Sequence, residues 1–188
     1  HHVRAVVPGV ADDAVLSAID RGAGQGGPTG RHWALDPIDG TTGFLRGDQY
    51  AVALALIEDG QVVLGVLGCP KLPVGPGHPG GGTGCLFSAV KGHGATMQRI
   101  DDPSERKITV TEIANPAAAS FCESVEDSHS SHRHAARVAS VLGMAAPPLR
   151  MDSQCKYAVL ARGDVSVYLR LPTSADYEEK TWDHAAGW

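Results

Sequence analysis

Asp36-Pro37-Ile38-Asp39-Gly40-Thr41-Thr42 sets two carboxylates three residues apart at the end of a strand-like run. Proline stiffens the turn and glycine lets another backbone come close. Carboxylates so placed can hold a hard divalent cation such as Mg²⁺, which takes oxygen ligands in near-octahedral geometry and shares them with water and substrate phosphate. In such a site Asp36 bridges two ions, and Asp39 and the Ile38 carbonyl each complete one. If Gly40 and Thr41 open a helix, their N–H groups point at an anion. The bare D-x-x-D-G pattern also has a plainer explanation, an Asp-Pro turn followed by an aspartate N-cap, and alone it favours that one. The spacing rules out the D-x-D nucleophile motif of aspartyl-phosphate phosphatases.

A second candidate lies near the other end. Trp182-Asp183-His184-Ala185-Ala186-Gly187 supplies one acid followed by small residues, a composition that lets a helix start sit tight against a metal site. Alone, Asp183 reads equally well as an acid stabilising a helix N-terminus. Composition narrows what these groups can serve. Twenty-one acidic residues against 16 basic give a net charge of −5, which argues against a broad nucleic-acid footprint. An anionic ligand must then be met by a few placed cations or by metal ions. The four cysteines, Cys69, Cys85, Cys122 and Cys155, are widely spaced without a C-x-x-C pair and fit reduced core thiols. The longest clean apolar run, Tyr50 to Ile57, is far short of the roughly 20 residues that span a bilayer. No signal-peptide pattern is visible. A soluble monomer without nucleic-acid or membrane partners is expected, in the cytoplasm, with a chloroplast or mitochondrion as the alternative.

These residues need elements to carry them. Arg31 to Leu35 reads as a strand ended by Asp36-Pro37. Strands follow at Tyr50 to Ile57 and Gln61 to Leu67, joined by Glu58-Asp59-Gly60, a hairpin signal, and both are apolar enough to expect cover on both faces. The stretch from Pro70 to Gly84 reads as a mobile surface loop. Further strands are expected at Cys85 to Val90, Ala95 to Ile100, Lys107 to Thr111, Ser120 to Glu123 and Val165 to Leu171. Helices are expected from Ser130 to Leu142 and Gln154 to Ala161, with another opening at Trp182. Glu178-Glu179-Lys180 reads as a solvated loop. The fold class is α/β, a layered sandwich of mixed sheets with helices between.

Taken together, the two acidic motifs resemble the paired metal signatures D-P-[IL]-D-G-T and W-D-x-A-A-G of the inositol-monophosphatase-like superfamily of lithium-sensitive, Mg²⁺-dependent phosphomonoesterases. Arg31 to Leu56, Gly84-Cys85-Leu86-Phe87, His129 to His132, Asp152 to Tyr157 and Val167 to Arg170 look like its 3′(2′),5′-bisphosphate nucleotidase branch, the plant form above all. That resemblance implies Asp36, the Ile38 carbonyl, Asp39 and Asp183 as ligands of two or three Mg²⁺ ions. It implies Thr41 and Asp36 as catalytic residues, with Thr41 orienting or deprotonating the attacking water. Thr41, His129, Ser153, Lys156, Arg170 and Asp183 match positions that hold adenosine 3′,5′-bisphosphate. The implied reaction releases AMP and phosphate, with 3′-phosphoadenylyl sulfate and inositol polyphosphates as further substrates; the alternatives are an inositol polyphosphate 1-phosphatase and a silent nucleotide-binding remnant. On residue type alone each position has an ordinary explanation. His129 and His132 lie on a polar helix face, Ser153 is an N-cap, Lys156 is a solvated lysine and Arg170 an edge charge. Residues 1–30 form a poorly defined leader, 31–125 an N-terminal sheet region, and 126–188 the start of a C-terminal α/β region. The branch also carries an acidic pair upstream of the first motif that has no visible counterpart. The chain is therefore expected to be incomplete at both ends and to bind Mg²⁺ weakly as it stands.

Overall fold

Asp59 and Gly60 show how the first sheet is built. Both take positive φ, 48° and 76°, the conformation a tight hairpin needs for its twist to match that of its strands. Asp59 also accepts the Gly30 N–H on its carboxylate at 2.8 Å. The computed structural model describes residues 2–75, 81–174 and 176–188. The hairpin joins β2 (Ala51–Glu58) to β3 (Gln61–Pro73), and these belong to a six-stranded antiparallel meander. Its other strands are β1 (Arg31–Asp39), β4 (Thr83–Val90), β5 (Gly94–Arg99) and β6 (Asp102–Ile108), in chain order across the sheet.

A second, smaller sheet is parallel. β7 (Phe121–Glu123) lies between β8 (Leu149–Arg150) and β9 (Val167–Tyr168), and parallel neighbours require crossovers, here helical. α4 (His132–Val141) makes the first, its Ser131 cap accepting the His134 N–H. α5 (Cys155–Ala161) makes the second and ends at Gly163, φ 80°. The main core lies between the sheets: Ala53, Leu67, Phe87 and Met97 face Cys155, Ala158 and Val159 of α5, with Cys122 of β7 beyond. Phe121, Ala135 and Ala139 close the far side against α4. The layers therefore run sheet, helix, sheet, helix, an α/β fold. All four cysteines are buried and free. No helix among the described residues is long and apolar enough to cross a membrane.

Several expectations are corrected. β1 does not stop before Pro37 but runs to Asp39, because it is an edge strand and a missing N–H there costs no ladder bond. β2 is not covered on both faces: Ala51, Ala53, Ala55 and Ile57 are buried, while Val52 is 41% exposed and Trp33 of β1 56%. The Pro70–Gly84 loop is shorter than expected, since β3 reaches Pro73 and β4 starts at Thr83; residues 76–80 lie outside the described ones. β6 ends at Ile108 instead of occupying Lys107 to Thr111. The strand expected at Val165 to Leu171 is two residues long, and 3-10 turns at Thr181–Asp183 and Ala185–Gly187 stand where a helix was expected to open. In the leader, α2 (Asp12–Arg21) agrees with the short helical stretch expected at Ala11 to Ile19, while α1 (His2–Val6) was not expected, and α2 buries none of its residues.

Candidate active site

A D-x-x-D pair on a regular strand would point to opposite faces, since side chains alternate. The β1–β2 register shows why it does not here. Asp36 pairs with Ala53 and Asp39 with Ala51, so β1 spends one residue more than its neighbour between them. This bulge returns both carboxylates to one face. Immediately after it, Gly40 turns at φ 80° and starts α3 (Thr41–Arg46). A Cβ on Gly40 would sit 2.7 Å from the Ser153 Cβ, so glycine meets both the backbone conformation and the close approach.

The third acid arrives on the 3-10 turn Thr181–Asp183, which Gln154 Nε2 fastens by donating to the Trp182 carbonyl at 2.9 Å. The small residues behind it perform the tight packing their composition predicts. Ala185 is buried against Ala55 and Ile57, and the Gly187 Cα lies flush with the Tyr157 ring, where a Cβ would collide. As a result one oxygen each from Asp36, Asp39 and Asp183 lie within 4.8 Å of one another. Asp36 Oδ1 accepts the Ile38 N–H at 3.0 Å, Thr41 Oγ1 donates to the Ile38 carbonyl at 3.1 Å, and Gln154 N–H donates to Asp39 Oδ2.

Electrostatics records the crowding. Burial raises the Asp39 carboxyl from 3.8 to about 6, against the Gln154 N–H and the Lys156 charge and with added repulsion from Asp36 and Asp183. Burial also raises Asp36; the Ile38 N–H opposes the shift and Asp183 adds to it. Three hard oxygen donors with unneutralised charge match the donor set of Mg²⁺.

All nine residues singled out by sequence line one cavity of about 290 Å³. Opposite the carboxylates, Lys156 is buried, not solvated, and donates from Nζ to the carbonyls of Met151 (3.0 Å) and Ser153 (2.8 Å). Burial lowers its pKa to about 8. Ser153 is no simple cap: it takes φ 65° and accepts the Cys155 N–H on Oγ. Arg170 is no free edge charge. Its Nε and Nη2 each donate to Glu179 at 2.7 Å, and Nη2 also donates to the Tyr177 hydroxyl at 3.2 Å. His129 lies at the rim. His132 is turned to the Ser124 carbonyl, 2.9 Å from Nε2, so the two histidines make no metal pair.

Glu179 is exposed, as the solvated-loop reading expects, yet it is also the hub of a network, since His184 Nε2 meets it at 2.7 Å and His184 Nδ1 meets the Tyr157 hydroxyl at 2.7 Å. Tyr177, Tyr168, Tyr157, Asp152 and Gln154 also line the cavity. Nothing in the local sequence marked Glu179, whose partners are Arg170, just after β9, and His184, between the two 3-10 turns.

Known proteins resemble this chain in sequence and fold. The profile of the inositol monophosphatase family matches residues 9–188. A 3′(2′),5′-bisphosphate nucleotidase of Oryza sativa is 54% identical over 181 residues, covering 93% of this chain and 50% of that protein. The 3′(2′),5′-bisphosphate nucleotidase 1 of Arabidopsis thaliana is 52% identical over 186 residues, 95% of this chain and 52% of that protein. The chain thus spans about half the length of these curated relatives. Among solved structures, Mycobacterium tuberculosis SuhB matches with a TM-score of 0.61 at 21% identity, over 93% of this chain and 68% of that one. An inositol monophosphatase from Zymomonas mobilis matches at 0.61 and 22%, over 93% and 62%. At such identities the structural likeness speaks for the fold alone. With the sequence profile covering nearly all of it, the chain belongs to the inositol monophosphatase family, whose members are generally metal-dependent, usually on Mg²⁺.

Proposed function

We propose that this chain carries the metal- and nucleotide-binding machinery of a phosphomonoesterase that removes the 3′-phosphate of adenosine 3′,5′-bisphosphate, leaving AMP and inorganic phosphate. The observation that carries it is the meeting of Asp36, Asp39 and Asp183 in one cavity with the cations Lys156 and Arg170. The names of the half-matching relatives in Oryza sativa and Arabidopsis thaliana support the same substrate.

Asp36, Asp39, Asp183 and the Ile38 carbonyl would hold two or three Mg²⁺ ions, which when bound acidify water and neutralise phosphate charge. The remaining work belongs to the chain. The Thr41 hydroxyl directs its proton to the Ile38 carbonyl, so its lone pairs are left to accept from the attacking water and aim it. Asp36, its Oδ1 fixed by the Ile38 N–H, would present an oriented carboxylate to the ions beside the water that Thr41 aims. Lys156 uses two of its three N–H groups on backbone carbonyls and keeps one for phosphate. Arg170, its Nε–Nη2 edge occupied by Glu179, offers Nη1. Ser153 and His129 flank the nucleotide.

The test is phosphate release by the purified protein from adenosine 3′,5′-bisphosphate, with and without Mg²⁺, repeated on Asp36→Asn and beside inositol 1,4-bisphosphate. The expected result is Mg²⁺-dependent release that Asp36→Asn abolishes. Absence of Mg²⁺-dependent release overturns the activity, and preference for inositol 1,4-bisphosphate overturns the substrate.

A further inference from the structure

Outside the cavity, three segments of its wall converge on one guanidinium. Arg46 occupies the last turn of α3, which Gly47 ends at φ 81°. Its Nε donates to Asp48 Oδ2 at 3.0 Å, Nη1 to Glu126 Oε1 at 2.5 Å, and Nη2 to Asp152 Oδ2 at 2.6 Å. Arg46 is not among the residues that line the cavity, but each segment it joins ends in one that is. α3 begins with Thr41. The Glu126 carbonyl accepts the His129 N–H at 3.1 Å, so that turn leads directly into His129. Asp152 precedes Ser153, and its side chain is only 7% exposed. The contact is close: a Cβ on Gly43 would come 2.6 Å from Asp152 Oδ2.

We propose that Arg46 is a positioning residue that assembles the nucleotide-facing wall. It clamps the segments bearing His129 and Ser153 onto α3, and so sets affinity for the nucleotide without setting affinity for the divalent cation. The inference rests on the nucleotidase function proposed above. Its physical basis is twofold. A planar fork can engage several carboxylates at fixed angles, which a lysine ammonium on a flexible stem cannot. Without the guanidinium, the Asp152 carboxylate, which itself lines the cavity, would face an incoming phosphate uncompensated. The three metal-binding carboxylates make no contact with Arg46; they are held by the β1 bulge, by the Gln154 N–H and by the 3-10 turn.

The experiment compares wild type, Arg46→Ala and Arg46→Lys by calorimetric titration with adenosine 3′,5′-bisphosphate and, separately, with Mg²⁺. Amide hydrogen exchange is followed without ligand. Arg46→Ala is expected to weaken the nucleotide by about tenfold or more, the scale on which small misplacements act, and to leave Mg²⁺ affinity unchanged, with Arg46→Lys between. Exchange should accelerate at 126–130 and at Asp152 and Ser153, while Gln154, tethered separately to Asp39 and to the Trp182 carbonyl, and β2, β3 and β4 keep their protection. Unchanged nucleotide affinity in Arg46→Ala overturns the proposal, as does parallel loss of Mg²⁺ affinity or unchanged exchange in both segments. If the wild type binds no nucleotide, the proposed function falls, and the exchange result alone decides whether Arg46 is the clamp.

Discussion

Replacing Asp39 by asparagine should stabilise the metal-free protein at neutral pH. Asn preserves the acceptor for the Gln154 N–H and removes the charge. In the folded chain the Asp39 carboxyl lies at about 6 instead of its ordinary 3.8. Between those values the folded state binds a proton that the unfolded state has released, so this group's contribution to stability falls as pH rises from about 4 to 6 and is flat above. At about 1.4 kcal/mol per tenfold change in proton affinity, the charged form costs on the order of 3 kcal/mol at pH 7. The assay is urea unfolding followed by tryptophan emission at pH 4.5 and 7.5, in chelator and in Mg²⁺. Wild type minus Asp39→Asn isolates the one group from the rest of the chain's titration. In chelator the variant is expected to be more stable at pH 7.5 and nearly equal at pH 4.5. Added Mg²⁺ should stabilise the wild type by mass action and the variant far less. A variant no more stable than wild type at pH 7.5 without metal would refute the idea that crowded negative charge strains the apo site.

Gly40→Ala should destabilise by about 1–3 kcal/mol, since it combines a left-handed φ with a Cβ pressed on Ser153; the same urea titration reads it, and a change near zero contradicts the close approach. Nucleotide affinity should fall as pH rises through about 8, where Lys156 loses its proton, and Lys156→Met should weaken binding and flatten that limb in calorimetry from pH 6.5 to 9.5. The native chain should resist iodoacetamide, because Cys69, Cys85, Cys122 and Cys155 are all buried and burial pushes the Cys122 thiol up to about 12. Rapid alkylation detected by mass spectrometry before unfolding would contradict the packed core.

What could be read from the sequence follows from how local each determinant is. The β2–β3 hairpin was legible because Asp59-Gly60 encodes its own turn, and α4 and α5 because capping and glycine stops lie within a few residues. The acidic cluster was legible because its carboxylates sit in four consecutive residues and one distant aspartate followed by small residues. The path of β1 through Pro37 was not, because tolerance of proline depends on being at a sheet edge. Nor was the uncovered face of β2, since an apolar strand does not state how many of its faces find a neighbour. Lys156 was misjudged because a charge is buried only when partners from elsewhere make that possible, and the network of the exposed Glu179 was invisible because its partners too are supplied by the fold. For Lys156 these are the carbonyls of the Met151–Ser153 segment, and for Glu179 they are Arg170 and His184. Arg46 shows the same limit, since two of its three carboxylates come from distant turns.

The extra residue between Asp36 and Asp39 leads to a last point about how this chain can change over time. Deleting one residue there would let β1 pair with β2 without interruption, a gain for the sheet, and would still leave both acids on one side, yet it would remove the kinked Pro37-Ile38 turn whose N–H fixes Asp36 and whose carbonyl receives the Thr41 proton. Selection for a sturdier scaffold and selection for a working centre thus pull in contrary directions at this one spot, and length here is guarded more strictly than identity.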